Sequence, residues 1–211
     1  MTKILPLAEV TDAVRGGVIS IGNFDGVHRG HAALIGQARE MANRIAGPVV
    51  AVVLDPHPAA ILRPDRVPPK LTWIERRAEL LSQIDTDFLV VVPTNQAFLN
   101  LSAAEFFESL VKETLSAKGI EGNIETLQTL CGEAEIELAI ADSSIDNDAM
   151  ISSTRIRQQL EAGNLEAAVQ MLGHPHQIRG RVIRGDGRGA GIGFPTANLS
   201  EIDVLVPAVG V

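Results

Sequence analysis

The sequence predicts an α/β fold in which helices cover both faces of a parallel sheet. Short apolar runs of strand length alternate with helix-like segments along residues 1–173, and this alternation is typical of parallel sheets. Strands are predicted over residues 18–21, 49–54, 88–92 and 136–141. The runs at 49–54 and 88–92 are almost continuously apolar, which favours strands that are buried on both faces.

Helix signals fill the gaps between these strands. Helices are predicted over residues 32–45, 73–84, 103–117, 123–130, 154–162 and 165–172. Two of them follow residues with capping-box spacing, Thr72 with Glu75 and Ser102 with Glu105. In a capping box the two side chains bond to backbone N–H groups at the helix start. These signals begin helices at residues 73 and 103.

The pattern changes after residue 173, where a second domain is predicted. Residues 1–173 are expected to form the α/β domain. In residues 174–211, apolar runs around a glycine-rich loop predict the start of a small β-barrel. A segment of this length cannot bury a core of its own without disulfides or metals, so we expect the second domain to be incomplete.

Composition limits the class of protein. The chain has 211 residues, 45% of them hydrophobic, and a net charge of −8, which argues against a surface for nucleic acid. Its apolar runs are far shorter than the roughly 20 residues of a membrane-spanning helix. The single cysteine excludes an internal disulfide, and the N-terminus does not resemble a signal peptide, so we expect a cytoplasmic protein. The sequence does not indicate the oligomeric state.

The strongest functional signal is segment 22–31, which reads GNFDGVHRGH and separates a predicted strand from a predicted helix. The free N–H groups and the dipole of a helix N-terminus attract an anion, and Gly30 leaves room for a phosphate. His28 and His31 share one face of the first turn, where they can donate to the same anion. The glycine spacing fits neither a Walker A loop nor a dinucleotide fingerprint. A zinc pair and surface residues of a capped helix are the alternative interpretations of these histidines.

A second anion site is predicted at segment 151–157, which reads ISSTRIR. Its hydroxyl groups, on Ser152, Ser153 and Thr154, can cap the following helix. Arg155 and Arg157 place cations where a helix prefers acidic residues, and a guanidinium group beside hydroxyls suits a polyphosphate. The alternative is an ordinary cap with solvent-exposed arginines. Segments 22–31 and 151–157 are expected to converge where the strands end.

A third segment, DPHP at residues 55–58, follows the strand predicted at 49–54. Ligands of open α/β sheets bind beyond the carboxyl ends of the strands. Asp55 and His57 are therefore candidate ligand contacts. Taken alone, a Pro-x-Pro segment after a strand is more often an ordinary turn.

In order and spacing, these segments resemble the bacterial bifunctional riboflavin kinase/FAD synthetase family. GNFDGVHRGH is similar to the GxFDGxHxGH signature of the HxGH nucleotidyltransferase superfamily, and ISSTRIR is similar to a segment that accompanies it. DPHP, and GDGRGAGIGFPTANL at residues 185–199, are typical of the bifunctional family. The likeness runs over nearly the whole chain.

The resemblance implies that residues 1–173 form a Rossmann-like nucleotidyltransferase domain, which transfers AMP from ATP to FMN and so gives FAD and pyrophosphate. It implies catalytic roles for His28, His31 and Arg155. It further implies that nucleotide and flavin contact Gly22, Asn23, Phe24, Asp25, Gly30, Asp55, His57, Ser152, Ser153 and Thr154. Mg²⁺ is the expected cofactor, because it neutralises charge in transfers of this kind.

For residues 174–211, the resemblance implies the first part of a riboflavin kinase, which phosphorylates riboflavin to FMN with ATP. The implied nucleotide contacts are Gly187, Gly193, Thr196 and Asn198. The oxygen atoms of Thr196 and Asn198 would also bind Mg²⁺, a hard cation. The family's catalytic carboxylate has no counterpart here, so we expect no riboflavin kinase activity from these 211 residues alone.

One departure from the family keeps other functions open. Members usually carry, after a strand, a segment like GxDFxFG whose polar residues help to hold the nucleotide. Here residues 118–122 are followed directly by the helix predicted at 123–130. The alternatives are another HxGH adenylyl- or cytidylyltransferase, a non-catalytic nucleotide or flavin sensor, and a zinc-binding interaction module. The PTAN sequence at 195–198 disfavours the first alternative.

Overall fold

The computed structural model describes residues 1–117, 119–121, 125–139, 145–146, 149–185, 193 and 196–208. Within them, the main sheet consists of β1 (Lys3–Pro6), β2 (Val18–Ile21), β3 (Val49–Asp55), β4 (Phe88–Pro93), β5 (Gly119–Glu121) and β6 (Glu137–Ala139). Neighbouring strands are parallel, and their spatial order is β1-β4-β3-β2-β5-β6. This architecture confirms the predicted fold class.

Helices connect the strands. The α-helices are α1 (Arg29–Ile45), α2 (Ala59–Leu62), α3 (Ile74–Ser82), α4 (Gln96–Leu99), α5 (Ala103–Phe106), α6 (Glu125–Glu133), α7 (Ser153–Glu161) and α8 (Leu165–Leu172). A π-helix at Phe107–Thr114 continues α5, and 3₁₀ turns lie at Leu7–Glu9 and Pro64–Arg66. Within the described part of the chain, no helix is both long enough and apolar enough to span a membrane.

Two short antiparallel pairs accompany the main sheet. They are β7 (Ile145–Asp146) with β8 (Ala149–Met150), and β9 (Arg181–Ile183) with β10 (Asn198–Ser200). The second pair lies in the segment for which the sequence predicted β structure. Whether it begins a barrel stays a prediction.

The side chains of β3 build a core on both faces of the sheet. Val49, Ala51 and Val53 pack with α1 and α3 on one face. Val50 and Val52 pack with the π-helix on the other face. Each fully buried aliphatic side chain of this size contributes about 1.5–3 kcal/mol, so the alternation of a strand fixes its register between the two helical layers.

The order in which strands are added to the sheet reverses beside β2. Strands β2, β3 and β4 follow one another toward one edge, whereas β5 returns to the other side of β2. In open α/β sheets, the crevice at such a reversal, beyond the carboxyl ends of the strands, is the ligand site. The loop at residues 22–28 follows β2 directly and therefore lies at this crevice.

Residues near the C-terminus pack back onto the α/β domain. Val204 is buried, and Leu205 packs against an apolar cluster that α7 and α8 form. The N–H of Leu205 donates to the carbonyl oxygen of Lys70 at 2.7 Å, and the N–H of Ala208 donates to that of Leu160 at 3.0 Å. The segment after α8 is thus tied to the first domain.

The predicted strands at 18–21, 49–54 and 88–92 are present with bounds changed by at most one residue. The strand predicted at 136–141 begins one residue later, as β6, and its last two residues lie outside the described part. Strands β1 and β5 were missed. Both are short, and proline in β1 and glycine in β5 disfavour strands, so pairing with neighbours decides their structure.

The capping box predicted for Thr72 and Glu75 is wrong. Helix α3 begins at Ile74, and Trp73 occupies its N-cap without a side-chain hydrogen bond. The hydroxyl group of Thr72 bonds to the loop after β2 instead, so a tertiary contact replaces the local cap. The box of Ser102 with Glu105 is confirmed at α5.

Candidate active site

His28 and His31 cap each other at the start of α1. The backbone N–H of His31 donates to Nδ1 of His28 at 3.3 Å, and the backbone N–H of His28 donates to Nδ1 of His31 at 3.2 Å. The two rings stack with their centroids 3.7 Å apart. In this capping box, imidazoles take the places that a hydroxyl and a carboxylate usually occupy.

Burial keeps both imidazoles uncharged at neutral pH. It lowers the pKa of His28 to about 4, against a smaller opposing effect of the Asp25 carboxylate. Burial also lowers the pKa of His31 well below its ordinary value, and His28 and Arg77 act in the same direction. A neutral imidazole that accepts at Nδ1 carries its proton on Nε2. Each histidine therefore has an Nε2–H group left to donate, and the expected donor role needs no positive charge.

The loop between β2 and α1 holds a backbone conformation that L residues rarely adopt. Phe24 and Val27 have φ angles of 46° and 39°, and Gly26 has a φ angle of 86°. Such a conformation costs about 1–3 kcal/mol at a non-glycine residue, and it is least tolerated by a β-branched residue such as Val27. Contacts from elsewhere in the chain must hold the loop.

The buried carboxylate of Asp25 is the centre of these contacts. It accepts hydrogen bonds at 3.0 Å from the backbone N–H groups of Leu71 and Thr72. The guanidinium groups of Arg157 and Arg77 donate to it at 2.6 and 3.4 Å. A buried charge is tolerated when opposite charges and hydrogen bonds satisfy it in this way. Asp25 thus joins the loop to the start of α3 and to α7.

The start of α7 lies against the same loop. Oγ of Ser152 accepts from the backbone N–H of Arg155 at 3.3 Å, so Ser152, one of the three hydroxyl residues expected to cap this helix, is its N-cap. Oγ of Ser153 donates to the carbonyl oxygen of Asp25 at 2.7 Å. Thr154 is exposed, and Arg155 is half-buried. The structure therefore brings segment 151–157 to the loop at residues 22–28, which we call the histidine loop, as predicted.

A cavity of about 90 Å³ lies beside the loop at the carboxyl end of β3. Asn23, Asp55 and His57 line it together with Arg77 and Arg157. The amide nitrogen of Asn23 lies 3.0 Å from Nε2 of His57. Burial lowers the pKa of His57, and the nearby Arg157 acts in the same direction. The predicted contacts Asn23, Asp55 and His57 thus line the same cavity.

The candidate residues of the second domain fall partly outside the described residues. Gly187 is one of those outside. Gly193 has a φ angle of 82°, a conformation that favours glycine. Thr196 and Asn198 are exposed, and a Cβ atom at Gly185 would collide with the amide of Asn198. The side chain of Asn198 therefore lies against the backbone at the start of the glycine-rich segment.

Three residues that the sequence analysis did not assign to the site hold the histidine loop. Oγ1 of Thr72 accepts from the N–H of Gly26 at 3.0 Å, and Nε2 of His174 lies 2.8 Å from the carbonyl oxygen of Gly26. Arg77 bonds to Asp25, as described above. The contacts of Arg77 and His174 span 52 and 148 residues, so no local pattern in the sequence could indicate them.

The zinc interpretation of the histidine pair has no support in the part of the chain that the structure describes. There, no group of three or more His, Cys, Asp or Glu side chains could hold a metal ion. A zinc site needs three or four such ligands. The Nδ1 atoms of His28 and His31 are also occupied by backbone N–H groups.

The reversal of strand order beside β2 and the mutually capped histidines define a Rossmann-like α/β domain of the HxGH type. The family model for FAD synthetase matches residues 10–155, and the family model for riboflavin kinase matches residues 172–211. The chain belongs to the FAD synthetase family.

Relatives support this assignment. The bifunctional riboflavin kinase/FMN adenylyltransferase of Escherichia coli K12 is 34% identical over an alignment of 208 residues, and the match covers 93% of this chain and 66% of that protein. The protein of the same name from Listeria monocytogenes is 36% identical, over 92% of this chain and 66% of its own length. A solved structure described as a macrolide-efflux protein from Streptococcus pneumoniae has a TM-score of 0.88 and 30% identity, and the match covers 98% of this chain and 72% of that one. The chain spans about two thirds of the length of these curated relatives.

Proposed function

We propose that this protein transfers the adenylyl group of ATP to FMN, giving FAD and pyrophosphate. The observation that carries the proposal is the histidine pair, whose neutral rings keep Nε2–H donors available at the start of α1. The match to FAD synthetase and the names of the relatives support the choice of FMN as acceptor. They disfavour another HxGH transferase.

The reaction needs positioning and charge stabilisation more than covalent chemistry. A phosphate oxygen of FMN attacks the α-phosphorus of ATP, and the bond from that phosphorus to the leaving pyrophosphate oxygen breaks. Negative charge develops on the α-phosphate and on pyrophosphate, and donors fixed in advance stabilise it. His28 and His31 would donate from Nε2 to these oxygens. Because each Nδ1 is already bonded, neither ring can rotate away without losing a helix cap.

The remaining loop and helix residues divide into two roles. Gly22, Phe24 and Gly30 would shape the backbone that receives the nucleotide, and Thr154 and Arg155 would meet its phosphates. Asp25, Ser152 and Ser153 use their polar atoms to hold the loop and α7. We therefore assign these three residues a positioning role, rather than the direct nucleotide contact that the resemblance implied.

The flavin phosphate would enter from the cavity at the end of β3. Charged side chains line this cavity, namely the cations Lys70, Arg77 and Arg157 and the carboxylates Asp25 and Asp55. The cations outnumber the carboxylates, which suits an anionic acceptor. Asn23 and His57 add polar groups to the lining of the same cavity. The cavity thus favours a phosphorylated acceptor over an uncharged one.

Mg²⁺ and the second domain complete the proposal. When bound with the nucleotide, Mg²⁺ supplies charge neutralisation. Thr196 and Asn198 offer the oxygen ligands that this cation prefers, and we assign them, with Gly187 and Gly193, to the nucleotide site of a riboflavin-phosphorylating unit. The riboflavin kinase match over residues 172–211 supports this assignment. The cytoplasmic location stays a prediction.

Chromatographic separation of flavins, after the purified chain is incubated with FMN, ATP and Mg²⁺, tests the proposal. We expect FAD from the wild type. His28→Asn should keep the fold, because asparagine is a good N-cap, but it should reduce FAD formation by about 10²-fold or more, because a fixed donor is lost. ATP binding without FAD in the wild type would favour the sensor, and the absence of both would reject a nucleotide site.

A further inference from the structure

The junction at the end of α8, formed by Leu172, Gly173 and His174, lies against the histidine loop and against Arg29, the first residue of α1. A Cβ atom added to Gly26 would lie 3.1 Å from Cδ2 of Leu172, so Leu172 packs directly against the loop backbone. A Cβ atom added to Gly173 would lie 3.2 Å from Cγ of Arg29. Nε2 of His174 lies 2.8 Å from the carbonyl oxygen of Gly26. This junction begins the region that matches riboflavin kinase.

The contact of His174 falls where the loop backbone is strained. The residue after Gly26 is Val27, which has a strained φ angle of 39°. The residue before it is Asp25, whose carboxylate is held by hydrogen bonds from Leu71 and Arg157. A carbonyl oxygen only accepts, so Nε2 of His174 donates across the 2.8 Å contact with Gly26, while Nδ1 faces the carbonyl oxygen of Pro175 at the longer distance of 3.1 Å. The N–H of Gly26 donates to the hydroxyl group of Thr72. Both polar backbone atoms of Gly26 are therefore fixed from outside the loop.

We propose that His174 is a positioning residue for adenylyl transfer. The inference rests on the proposed function. It adds a residue from the region that matches riboflavin kinase. By fixing the carbonyl of Gly26, His174 holds the peptide that leads through Val27 into the N-cap residue His28. Without this bond the loop can relax toward an unstrained backbone. The Nε2 donors of His28 and His31 would then move away from the position that the α-phosphate takes in the proposed reaction.

The chain offers a matched control in His176. Its Nε2 atom also lies 2.8 Å from a carbonyl oxygen, that of Leu205, and its side chain is half-buried like that of His174. It lies two residues away, but its bond joins parts of the C-terminal segment and does not reach the histidine loop. Replacing either histidine by alanine removes a contact between Nε2 and a carbonyl oxygen. Only the contact of His174 holds the histidine loop.

The test compares FAD formation by the full chain and its His174→Ala, His174→Gln and His176→Ala variants. We expect His174→Ala to lower kcat by about ten-fold or more, because small displacements of reacting groups are costly. The KM for ATP should change little. Glutamine, whose amide can donate at the position of Nε2, should restore most of kcat. His176→Ala should leave kcat unchanged.

A second readout does not depend on activity. The imidazole NMR signals of His28 and His31 should shift in His174→Ala and stay in place in His176→Ala. Equal kcat values for the two alanine variants, or unchanged signals in His174→Ala, would overturn the inference. Failure of the wild type to make FAD would instead reject the proposed function, and the NMR comparison would still decide whether His174 holds the loop.

Discussion

The backbone N–H groups of His28 and His31 each donate to the imidazole Nδ1 of the other residue, at 3.2 and 3.3 Å. Two of the unsatisfied N–H groups at the start of α1 are thereby used. The same bonds fix the neutral tautomer and the orientation of both rings. The bonds that cap the helix therefore also orient the two Nε2–H donors that the proposed transfer uses.

Burial of the His28 ring should make the free energy of unfolding sensitive to acid. The pKa of His28 is about 4 in the folded chain, against an ordinary value of 6.5. Below pH 6.5 the unfolded chain takes up a proton that the folded chain does not, so stability present above pH 6.5 is lost as the pH falls toward 4. His28→Asn should therefore lose about 2 kcal/mol less stability than the wild type between pH 7.5 and pH 5. Urea unfolding at both pH values measures this difference, and parallel losses would contradict it.

Gly30 and Gly36 lie on the same helix and should respond differently to alanine. A Cβ atom at Gly30 would lie 3.0 Å from Nδ1 of His28, whereas one at Gly36 would meet nothing within 4 Å. Gly36→Ala should stabilise the protein by about 0.5–1 kcal/mol and leave FAD formation unchanged. Gly30→Ala should displace the His28 ring and lower FAD formation by about ten-fold. Thermal unfolding and flavin chromatography measure the two effects. Equal activity of the two variants would argue against tight placement of the ring.

Asp25 and Asp203 provide a test of buried against exposed ion pairs. Asp25→Asn leaves Arg77 and Arg157 buried without a carboxylate, which should cost about 3–5 kcal/mol of unfolding free energy. Asp203 pairs with Arg179 at 2.7 Å, but their side chains are 43% and 47% exposed. Asp203→Asn should therefore cost less than about 1 kcal/mol. Denaturant titration of both variants checks the ranking, and similar losses would mean that Asp25 is not the centre of the loop contacts.

Ser153 should affect catalysis more than its effect on stability suggests. Its hydroxyl group donates to the carbonyl oxygen of Asp25 at 2.7 Å, and Ser153→Ala should cost about 1 kcal/mol. Ser102→Ala removes the exposed cap of α5 and should cost about the same. Only the change at Ser153 should lower kcat, because only that bond reaches the histidine loop. If kcat fell equally in both variants, a general loss of stability would explain the result.

The sequence predicted those features that local patterns determine. Apolar runs such as the one in β3 predicted its burial on both faces, and segment 22–31 indicated a strand-to-helix turn with paired histidines. The neutral state of His28 could not be predicted, because it depends on burial by residues distant in the chain. The role of Thr72 was missed for the same reason, since its spacing with Glu75 indicates a cap that tertiary contacts override.

The contacts of the junction at the end of α8 could not be predicted from local patterns either. His174 reaches Gly26 across 148 residues, and neither residue type indicates the other. The strand β5 and the helix α6 frame residues 122–124, which lie outside the described part. The expectation that a GxDFxFG-like segment is missing here therefore stays a prediction.

The fate of the α-phosphate of ATP tests adenylyl transfer to FMN directly. The chain would be incubated with Mg²⁺, FMN and ATP labelled at the α-phosphorus, and the flavins would then be separated from the phosphates. The label should enter FAD, and one unlabelled pyrophosphate should be released for each FAD formed. Label that stays in ATP, or appears in free AMP with no labelled flavin, would contradict adenylyl transfer to FMN.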